Sequence, residues 1–394
     1  MRNRSGRHFL QIPGPTNVPG RVLEAIGRPT IDHRGPEFAD LGLACLEAMR
    51  RVFRTDGRVF IFPSSGTGAW EAALVNTLSP GDRVLVYETG HFARLWAEVA
   101  RRLGLVVETI EGDWRSGVDA GSVAEALSRD TGEPPFRAVA VLHNETSSGA
   151  ASDVPAVRRV LDAGNHPALL LVDTISSLAS MPYEHDAWGV DVTVAGSQKG
   201  LMLPPGLGFN AVSEKAWRAG EEAKLARSYW DWRAMDGANA AGYFPFTPAT
   251  NLLFGLKEAV AMLEEEGLEQ VFERHRRFAA ATGRAVQAWG LDFNCLPPEH
   301  RSASLTAVRV PDGFSADALR AVVLERFDVS LGNGLGRLQD RVFRIGHLGD
   351  LNEVTLIGTL AAIEMGLSIA GAPFQRGGVD AAMDHLAAGP GTPD

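Results

Sequence analysis

Short apolar runs alternate with helical patterns over roughly residues 55–215 of the chain. Most runs are continuously apolar, which is typical of strands buried on both faces of a mainly parallel sheet. Helical stretches such as Ala69–Leu78 and Pro155–Ala163 lie between them. This order predicts a large three-layer α/β domain. The runs are Val59–Phe62, Val84–Tyr87, Val106–Ile110, Ala138–Leu142, Ala168–Val172, Val190–Val194 and Gly208–Val212.

The pattern changes after about residue 265. A long helical stretch at Glu269–Gly290 is followed by further short strands and helices, which predict a smaller C-terminal α+β domain. The last helix, Leu351–Ala370, is expected to be capped by Asp350, with Glu353 three positions later. The other predicted elements are Leu305–Val310, Ser315–Arg326, Val329–Leu331 and Val342–Ile345.

The chain of 394 residues is long enough to bury a large core. We therefore predict an N-terminal arm at 1–20, a large domain at 21–265 and a small domain at 266–394. The terminal stretch Ala387–Asp394 is interpreted as a frayed end.

The composition and charge of the chain limit which kinds of molecule it is expected to bind. The chain carries 38 basic and 48 acidic residues, a formal charge of −10, which repels phosphate backbones and anionic membranes. No apolar run reaches the length of a membrane span. Its cysteines, Cys45 and Cys295, have no metal-ligand or CxxC spacing. We expect a cytoplasmic protein without a metal site and without nucleic-acid or membrane partners.

A candidate anion site follows the first apolar run. Ser64–Gly68 (SSGTG) opens the helix after that run, and ligands of α/β sheets bind at the carboxyl ends of the strands. Free N–H groups at a helix N-terminus suit a phosphate dianion. The same residues also suit a plain helix cap with a tight turn. The motif is neither a Walker A loop nor GxGxxG, and alone it leaves both interpretations open.

Asp173 and Lys199 follow two other predicted strands. Asp173 is either an ordinary loop residue or the partner of a cationic ligand nitrogen. Lys199 is either a rim lysine or a buried amine, which burial would turn into a nucleophile by lowering its pKa. An anion cradle, a carboxylate and a lysine at neighbouring strand ends are together what pyridoxal phosphate requires.

Three further residues are candidates for the same site. The hydroxyl of Thr146 is placed to bond the cofactor's phenolic oxygen, and Phe92 to cover its ring, although each is also typical of a turn or a core. Arg344 interrupts an apolar strand between Phe343 and Ile345. Such an arginine holds either a substrate carboxylate or an interdomain salt bridge.

Several motifs in this sequence carry a family resemblance. They are PGPTN at 13–17, SGTGAWE at 65–71, HNET at 143–146, VD at 172–173, GSQKG at 196–200, LPPGL at 203–207 and FRIGHLG at 343–349. With them, the chain from about residue 9 to 381 resembles the class-V, fold type I pyridoxal-phosphate aminotransferases, closest to the serine–glyoxylate and alanine–glyoxylate enzymes. Gly6-Arg7-His8, His91-Phe92 and Leu95-Trp96 fit the serine–glyoxylate branch.

The resemblance implies a role for each candidate residue. Lys199 becomes the Schiff-base lysine, Asp173 the partner of the pyridinium nitrogen, and Arg344 the clamp on the substrate α-carboxylate. The cofactor's other neighbours become Ser65, Gly66, Thr67 and Gln198 at the phosphate, Phe92 on the ring and Thr146 at the phenolate. The family also implies a homodimer with shared active sites, in which Thr247 reaches the neighbour's phosphate, and His33 and Arg34 its substrate.

The resemblance further implies transamination between an L-amino acid and glyoxylate, giving glycine and a 2-oxo acid. Serine, which gives hydroxypyruvate, is the preferred donor, and alanine and aspartate are the alternatives. A class-V lyase needs an active-site thiol, which Cys45 and Cys295 do not match. A non-catalytic protein is disfavoured by the presence of Lys199, Asp173 and Arg344.

The sequence departs from the family pattern at three places. Phe244 stands where relatives often have a tyrosine whose hydroxyl reaches the phosphate. Thr174-Ile175 replaces a common Gly-Val beside the pyridine ring, and Ser147-Ser148 replaces Ala-Thr. None of these changes removes a catalytic group, but they leave the substrate preference open.

Overall fold

A computed structural model describes residues 6–130, 132 and 134–388 of the chain. Residues 1–5 of the predicted arm and 389–394 of the predicted frayed end lie outside the described residues.

The strands follow the predicted apolar runs closely. They are β1 (Phe9–Gln11), β2 (Arg58–Ser64), β3 (Arg83–Glu88), β4 (Val106–Glu111), β5 (Phe136–Leu142), β6 (Asn144–Glu145), β7 (Ala150–Ala151), β8 (Leu169–Asp173), β9 (Val192–Gly196), β10 (Gly206–Val212), β11 (Asp292–Phe293), β12 (Leu305–Arg309), β13 (Val329–Asn333) and β14 (Val342–Gly346).

The helices lie between these strands and after them. They are α1 (Gly20–Ile26), α2 (Pro36–Phe53), α3 (Gly66–Thr77), α4 (His91–Arg102), α5 (Ala120–Ser128), α6 (Val154–Ala163), α7 (Glu214–Glu222), α8 (Trp232–Asn239), α9 (Thr250–Glu266), α10 (Leu268–Ala288), α11 (Ala316–Phe327), α12 (Glu353–Ile369) and α13 (Gly378–Ala387).

A seven-stranded sheet in the order β2-β10-β9-β8-β5-β3-β4 forms the centre of the larger part. Neighbouring strands are parallel except at β10, which pairs antiparallel with β2 and β9. One face packs against α2, α5, α6 and α9, and the other against α3, α4, α7 and α8. Two buried faces explain the continuous apolar runs, and the predicted three-layer α/β fold is confirmed.

A second sheet, in the order β1-β13-β14-β12-β11, lies with α10 to α13 around a separate core. Its outer strand β1 comes from the segment that we assigned to an N-terminal arm, and Phe9–Gln11 pairs in parallel with Val329–Leu331. The arm is therefore partly a strand of the smaller sheet.

The start of α12 corrects one prediction. The side chain of Asn352 caps this helix by accepting a hydrogen bond from the Thr355 N–H, so the cap is Asn352 and not Asp350. The helix begins at Glu353, which places this acidic residue in the first turn near the positive end of the dipole.

Candidate active site

A pocket enclosing about 480 Å³ of empty space lies at the carboxyl edge of the large sheet. The turns after β2, β3, β5, β8 and β9 all reach this edge because the strands run parallel. Eight residues predicted to contact the cofactor line this pocket together, namely Ser65, Gly66, Thr67, Phe92, Thr146, Asp173, Gln198 and Lys199. The structure therefore brings these eight residues together around one pocket, and their roles stay predictions.

Lys199 lies in the turn after β9 and is buried. Burial lowers the pKa of its amine to about 7, helped by the Arg344 guanidinium and opposed by Asp173. Its Nζ donates a hydrogen bond to the carbonyl of Pro13. A Cβ at Gly14 would overlap the Lys199 side chain, and the φ of +88° at Gly14 also favours glycine. This lysine is therefore held in place as an amine that is readily deprotonated.

Asp173 ends β8 and has both carboxylate oxygens in hydrogen bonds. Oδ1 accepts from the Ile175 N–H at 2.6 Å, and Oδ2 accepts from the Trp70 indole N–H at 2.7 Å. Burial raises the pKa of Asp173 to about 7, although these bonds and the nearby Lys199 favour the ionised form. A cationic ring nitrogen at this position would stabilise the carboxylate further.

The N-terminus of α3 supplies the predicted anion cradle. Ser65 is the N-cap residue, but its side chain makes no capping bond, so its hydroxyl stays available to a ligand. The positive end of the helix dipole adds to this site. Beside it, the buried Oε1 of Gln198 has no partner among the described residues. A phosphate fits a cradle of this kind, and Lys199 and Asp173 supply the amine and the carboxylate that the rest of pyridoxal phosphate requires.

Thr146 and Phe92 complete the walls of the pocket. The Thr146 hydroxyl donates to Ser176 Oγ at 2.7 Å, and Asn144 also donates to this serine oxygen at 2.9 Å. Phe92 lies half-buried in the first turn of α4. The hydroxyl of Thr146 is thereby oriented by a neighbour that the sequence did not single out.

Arg344 lies on β14 and is buried, and burial lowers the pKa of its guanidinium to about 10. Its Nε donates to Asn333 O and its Nη1 to Thr146 O, both at 2.8 Å. Within residues 6–130, 132 and 134–388, no carboxylate lies within 4.0 Å of it, so the alternative of a salt bridge finds no partner there. The remaining nitrogen, Nη2, is left for a ligand.

The same arginine opens onto a cleft that continues the cofactor pocket. Arg344, Asn333 and Gly14 line this cleft together with Phe92 and Lys199, which also line the pocket. A molecule in the cleft can therefore reach the Lys199 amine and the guanidinium at the same time. This geometry suits an α-amino acid with its carboxylate at Arg344.

Three predicted site residues lie outside the pocket of this single chain. Thr247 is exposed in the segment between α8 and α9, and Arg34 is exposed just before α2. His33 is half-buried, and its Nε2 has no partner among the described residues. None of the three lines the pocket or the adjoining cleft.

Trp70 is the functional neighbour that sequence reasoning missed. It belongs to the quoted SGTGAWE motif, but a tryptophan on a helix is more often a core residue than a neighbour of a functional group. The residue is buried, stacks on Trp96 with ring centroids 5.9 Å apart, and donates to Asp173. Its motif was the only available signal, because nothing local in the sequence links residues 70 and 173.

Comparison with known proteins agrees with this geometry. The model of the family described as aminotransferase class-V matches residues 8–335. The chain belongs to the class-V aminotransferase family. It is 46% identical to the serine–glyoxylate aminotransferase of Methylorubrum extorquens, over 98% of both chains, and 46% identical to the L-aspartate–glyoxylate aminotransferase of Paracoccus denitrificans, over 95% of both.

Solved structures of other aminotransferases also resemble this chain. Pyridoxamine–pyruvate aminotransferase from Mesorhizobium loti superposes with a TM-score of 0.90 at 29% identity, covering 98% of this chain and all of the other. The protein is thus a pyridoxal-phosphate-dependent aminotransferase of fold type I, and the predictions of family, fold, cofactor and enzyme class are confirmed.

The structure also shows where the two cysteines and two of the residues that depart from the family pattern lie relative to the cofactor pocket. Cys45 and Cys295 are buried and free, and neither lines the cofactor pocket. Ile175 does line it, and a Cβ at Gly66 would overlap the Ile175 side chain. Phe244 packs edge-on against Phe38, with centroids 6.0 Å apart. The bulk of Ile175 therefore requires glycine at position 66.

No helix in residues 6–130, 132 and 134–388 combines the length and the apolar character needed to cross a bilayer. Nor do the same residues bring together a group of His, Cys, Asp and Glu side chains that could hold a metal ion.

Proposed function

We propose that this enzyme transfers the amino group of L-serine to glyoxylate, giving hydroxypyruvate and glycine. The observation that carries the proposal is the single cleft in which Arg344 Nη2 and the Lys199 amine are both available to one amino acid. Relatives at 46% identity named for serine and for aspartate support glyoxylate as the acceptor. Aspartate and alanine remain the alternative donors, since an α-carboxylate clamp serves every α-amino acid.

Bound pyridoxal phosphate supplies an electron sink for the charge that develops at the substrate Cα. In our proposal Lys199 would hold the cofactor, and its free amine would take up onto Nζ the proton that leaves the substrate Cα. Its lowered pKa supports this role, since about half of the amine is neutral near pH 7. Asp173 accepts a hydrogen bond from the protonated ring nitrogen, and so holds that proton in place.

The remaining pocket residues bind and orient. Ser65, Gly66, Thr67 and Gln198 are assigned to the phosphate, which the α3 dipole also favours. Phe92 is assigned to the ring face and the Thr146 hydroxyl to the phenolic oxygen. Arg344 is assigned to the α-carboxylate, and its two bonds to backbone carbonyls support this role because they fix the guanidinium plane.

We also propose a homodimer whose two active sites borrow residues from the neighbouring subunit. Thr247 would reach the neighbour's phosphate, and His33 and Arg34 its substrate. The exposure of Thr247 and Arg34, and the unpartnered Nε2 of His33, support this arrangement.

Mixed dimers test the shared site. Lys199→Ala and Arg34→Ala chains, each inactive alone, are co-expressed with different tags and the heterodimer is purified. If the site is shared, one site of the heterodimer holds both intact residues and activity returns to about half of the wild-type value. If each chain supplies its own Arg34, both sites are damaged and activity stays absent, which would contradict the proposal.

A donor panel tests the reaction itself. The enzyme with pyridoxal phosphate and glyoxylate is given L-serine, L-alanine or L-aspartate, and kcat/KM for glycine formation is compared. The highest value with serine supports the proposal. The highest value with aspartate or alanine would replace serine as the donor, and no glycine from any donor would overturn the glyoxylate assignment.

The predicted domain limits and the cytoplasmic location stay proposals. Apart from β1, the strands of the two sheets lie on opposite sides of residue 265, which supports the division into a large and a small domain. Two free cysteines without a disulfide support a reducing compartment.

A further inference from the structure

A second, larger groove lies outside the active site, on the smaller part of the molecule. It holds about 1220 Å³ of empty space that is open to solvent, between α10 and the segment 293–307. On the α10 side the small residues Ala279, Ala280 and Gly283 line the groove between the longer side chains of Arg276, Arg284 and Gln287. At its inner end it reaches Gly149, three residues after Thr146.

The charge of this groove is opposite to that of the chain. Among the described residues, its walls carry three arginines, Arg276, Arg284 and Arg301, and no acidic side chain, although the formal charge of the protein is −10. Arg276 is neutralised by Glu273, at 2.7 Å. The other two arginines, Arg284 and Arg301, therefore give the groove its positive charge.

Neither Arg284 nor Arg301 has a carboxylate within 4.0 Å in the described part of the chain, and both are half-buried. Arg301 lies over the Phe293 ring, 3.8 Å from its centroid, and donates only to the carbonyls of Cys295 and Leu296, each at 3.4 Å. Arg284 sits on the opposite wall, on α10. Both guanidiniums line one groove without a carboxylate partner, and an anion bound there would accept charge-assisted hydrogen bonds from them.

We propose that this groove binds a small organic anion with two or more carboxylate or phosphate groups. Arg284 and Arg301 hold the acid groups, and the partly exposed side chains of Phe293, Ala279 and Ala280 line the space for the body of the ligand. Guanidinium groups favour both carboxylates and phosphates because their planar fork bonds two oxygens at once. The site is separate from the cofactor pocket and does not depend on which amino acid is the donor.

Calorimetric titration of the holoenzyme at low ionic strength tests the site, with citrate and pyrophosphate as two separate probes. We expect binding of one or both probes, weakened about tenfold or more by Arg284→Ala and by Arg301→Ala. Arg284→Lys keeps the charge and the helix but loses the planar fork, so its affinity should lie between those of the wild-type protein and Arg284→Ala. Arg218→Ala removes an exposed arginine on α7, paired with Glu214, and serves as the matched charge control with unchanged binding.

The two probes also distinguish the source of the anion. Tighter citrate binding supports a polycarboxylate ligand, and tighter pyrophosphate binding supports a phosphorylated one. Absence of heat with both probes up to about 10 mM would overturn the proposal. So would binding that survives Arg284→Ala and Arg301→Ala, or binding that disappears in Arg344→Ala, since both results place the anion elsewhere.

Discussion

Replacing Trp70 by phenylalanine removes the hydrogen bond that connects α3 to the carboxylate of Asp173. The indole N–H donates to Asp173 Oδ2 at 2.7 Å in a buried position. Phenylalanine keeps the aromatic packing but has no donor. The variant therefore isolates the effect of one hydrogen bond on the charge of Asp173.

The expected rise in the pKa of Asp173 can be worked out from the strength of its hydrogen bond with Trp70. A hydrogen bond to a charged group contributes about 1.5–3 kcal/mol, and 1.36 kcal/mol corresponds to one pKa unit. The pKa of Asp173, already raised to about 7 by burial, should then rise by about 1–2 more. At pH 7.5 the ionised fraction falls about three- to twentyfold, and the affinity for the cofactor's protonated ring nitrogen falls with it.

The assay is the dissociation constant of pyridoxal phosphate from the cofactor-free protein, measured from pH 6.5 to 9.5. The ratio of the variant's constant to the wild-type constant should be about three to twenty at pH 7.5 and approach one near pH 9.5, where both carboxyls are ionised. Trp96→Phe is the matched control. This residue stacks on Trp70 and is equally buried, but its Nε1 has no partner among the described residues.

Both variants lose a similar volume, which should lower the free energy of unfolding by about 1–3 kcal/mol in each, and Trp70→Phe should lose the contribution of its hydrogen bond in addition. Only Trp70→Phe should change the pH dependence of cofactor affinity. Equal pH profiles for the two variants and the wild-type protein would refute the assigned role of Trp70.

Three other changes give distinct outcomes. Arg344→Ala should lower kcat/KM about 30- to 1000-fold for serine, alanine and aspartate alike, because all share the α-carboxylate, and a loss confined to one donor would contradict the clamp. Gly14→Ala should weaken cofactor binding, measured by visible absorbance, because its Cβ overlaps the Lys199 side chain. The pKa of Lys199 falls from 10.5 to about 7 on folding, because burial disfavours the charged amine. Burying this group therefore destabilises the fold fully below pH 7, and the penalty shrinks as the pH rises from 7 to 10.5. Lys199→Met should therefore raise the Tm of the cofactor-free protein most near pH 6.5 and progressively less towards pH 9.5.

The sequence signals that led to the residues lining the pocket are local ones. Buried parallel strands are continuously apolar, and a polar residue directly after such a run lies at the shared carboxyl edge. Asp173 and Lys199 were both identified in this way, and Ser65 was found through its glycine-rich helix start. Because both residues lie at this edge of a buried sheet, both are buried, and burial raises the pKa of Asp173 and lowers that of Lys199.

Contacts between distant segments could not be read from the sequence. The bond from Trp70 to Asp173 spans 103 residues, and the bond from Arg344 to Thr146 spans 198. The pairing of β1 with β13 joins Phe9 to Val329, which are far apart in the sequence, and a three-residue strand carries no periodic signal. At α12, Asp350 and Asn352 are both good capping residues, so the sequence alone favours neither.

The most direct test of the account is to locate the cofactor on the chain. The enzyme loaded with pyridoxal phosphate is reduced with borohydride, digested and analysed by mass spectrometry. The account predicts that the modified peptide carries Lys199, and that the Lys199→Ala protein yields no modified peptide and no turnover. A cofactor attached at Lys215, Lys224 or Lys257 instead, or full turnover in Lys199→Ala, would contradict the assignment of the active site.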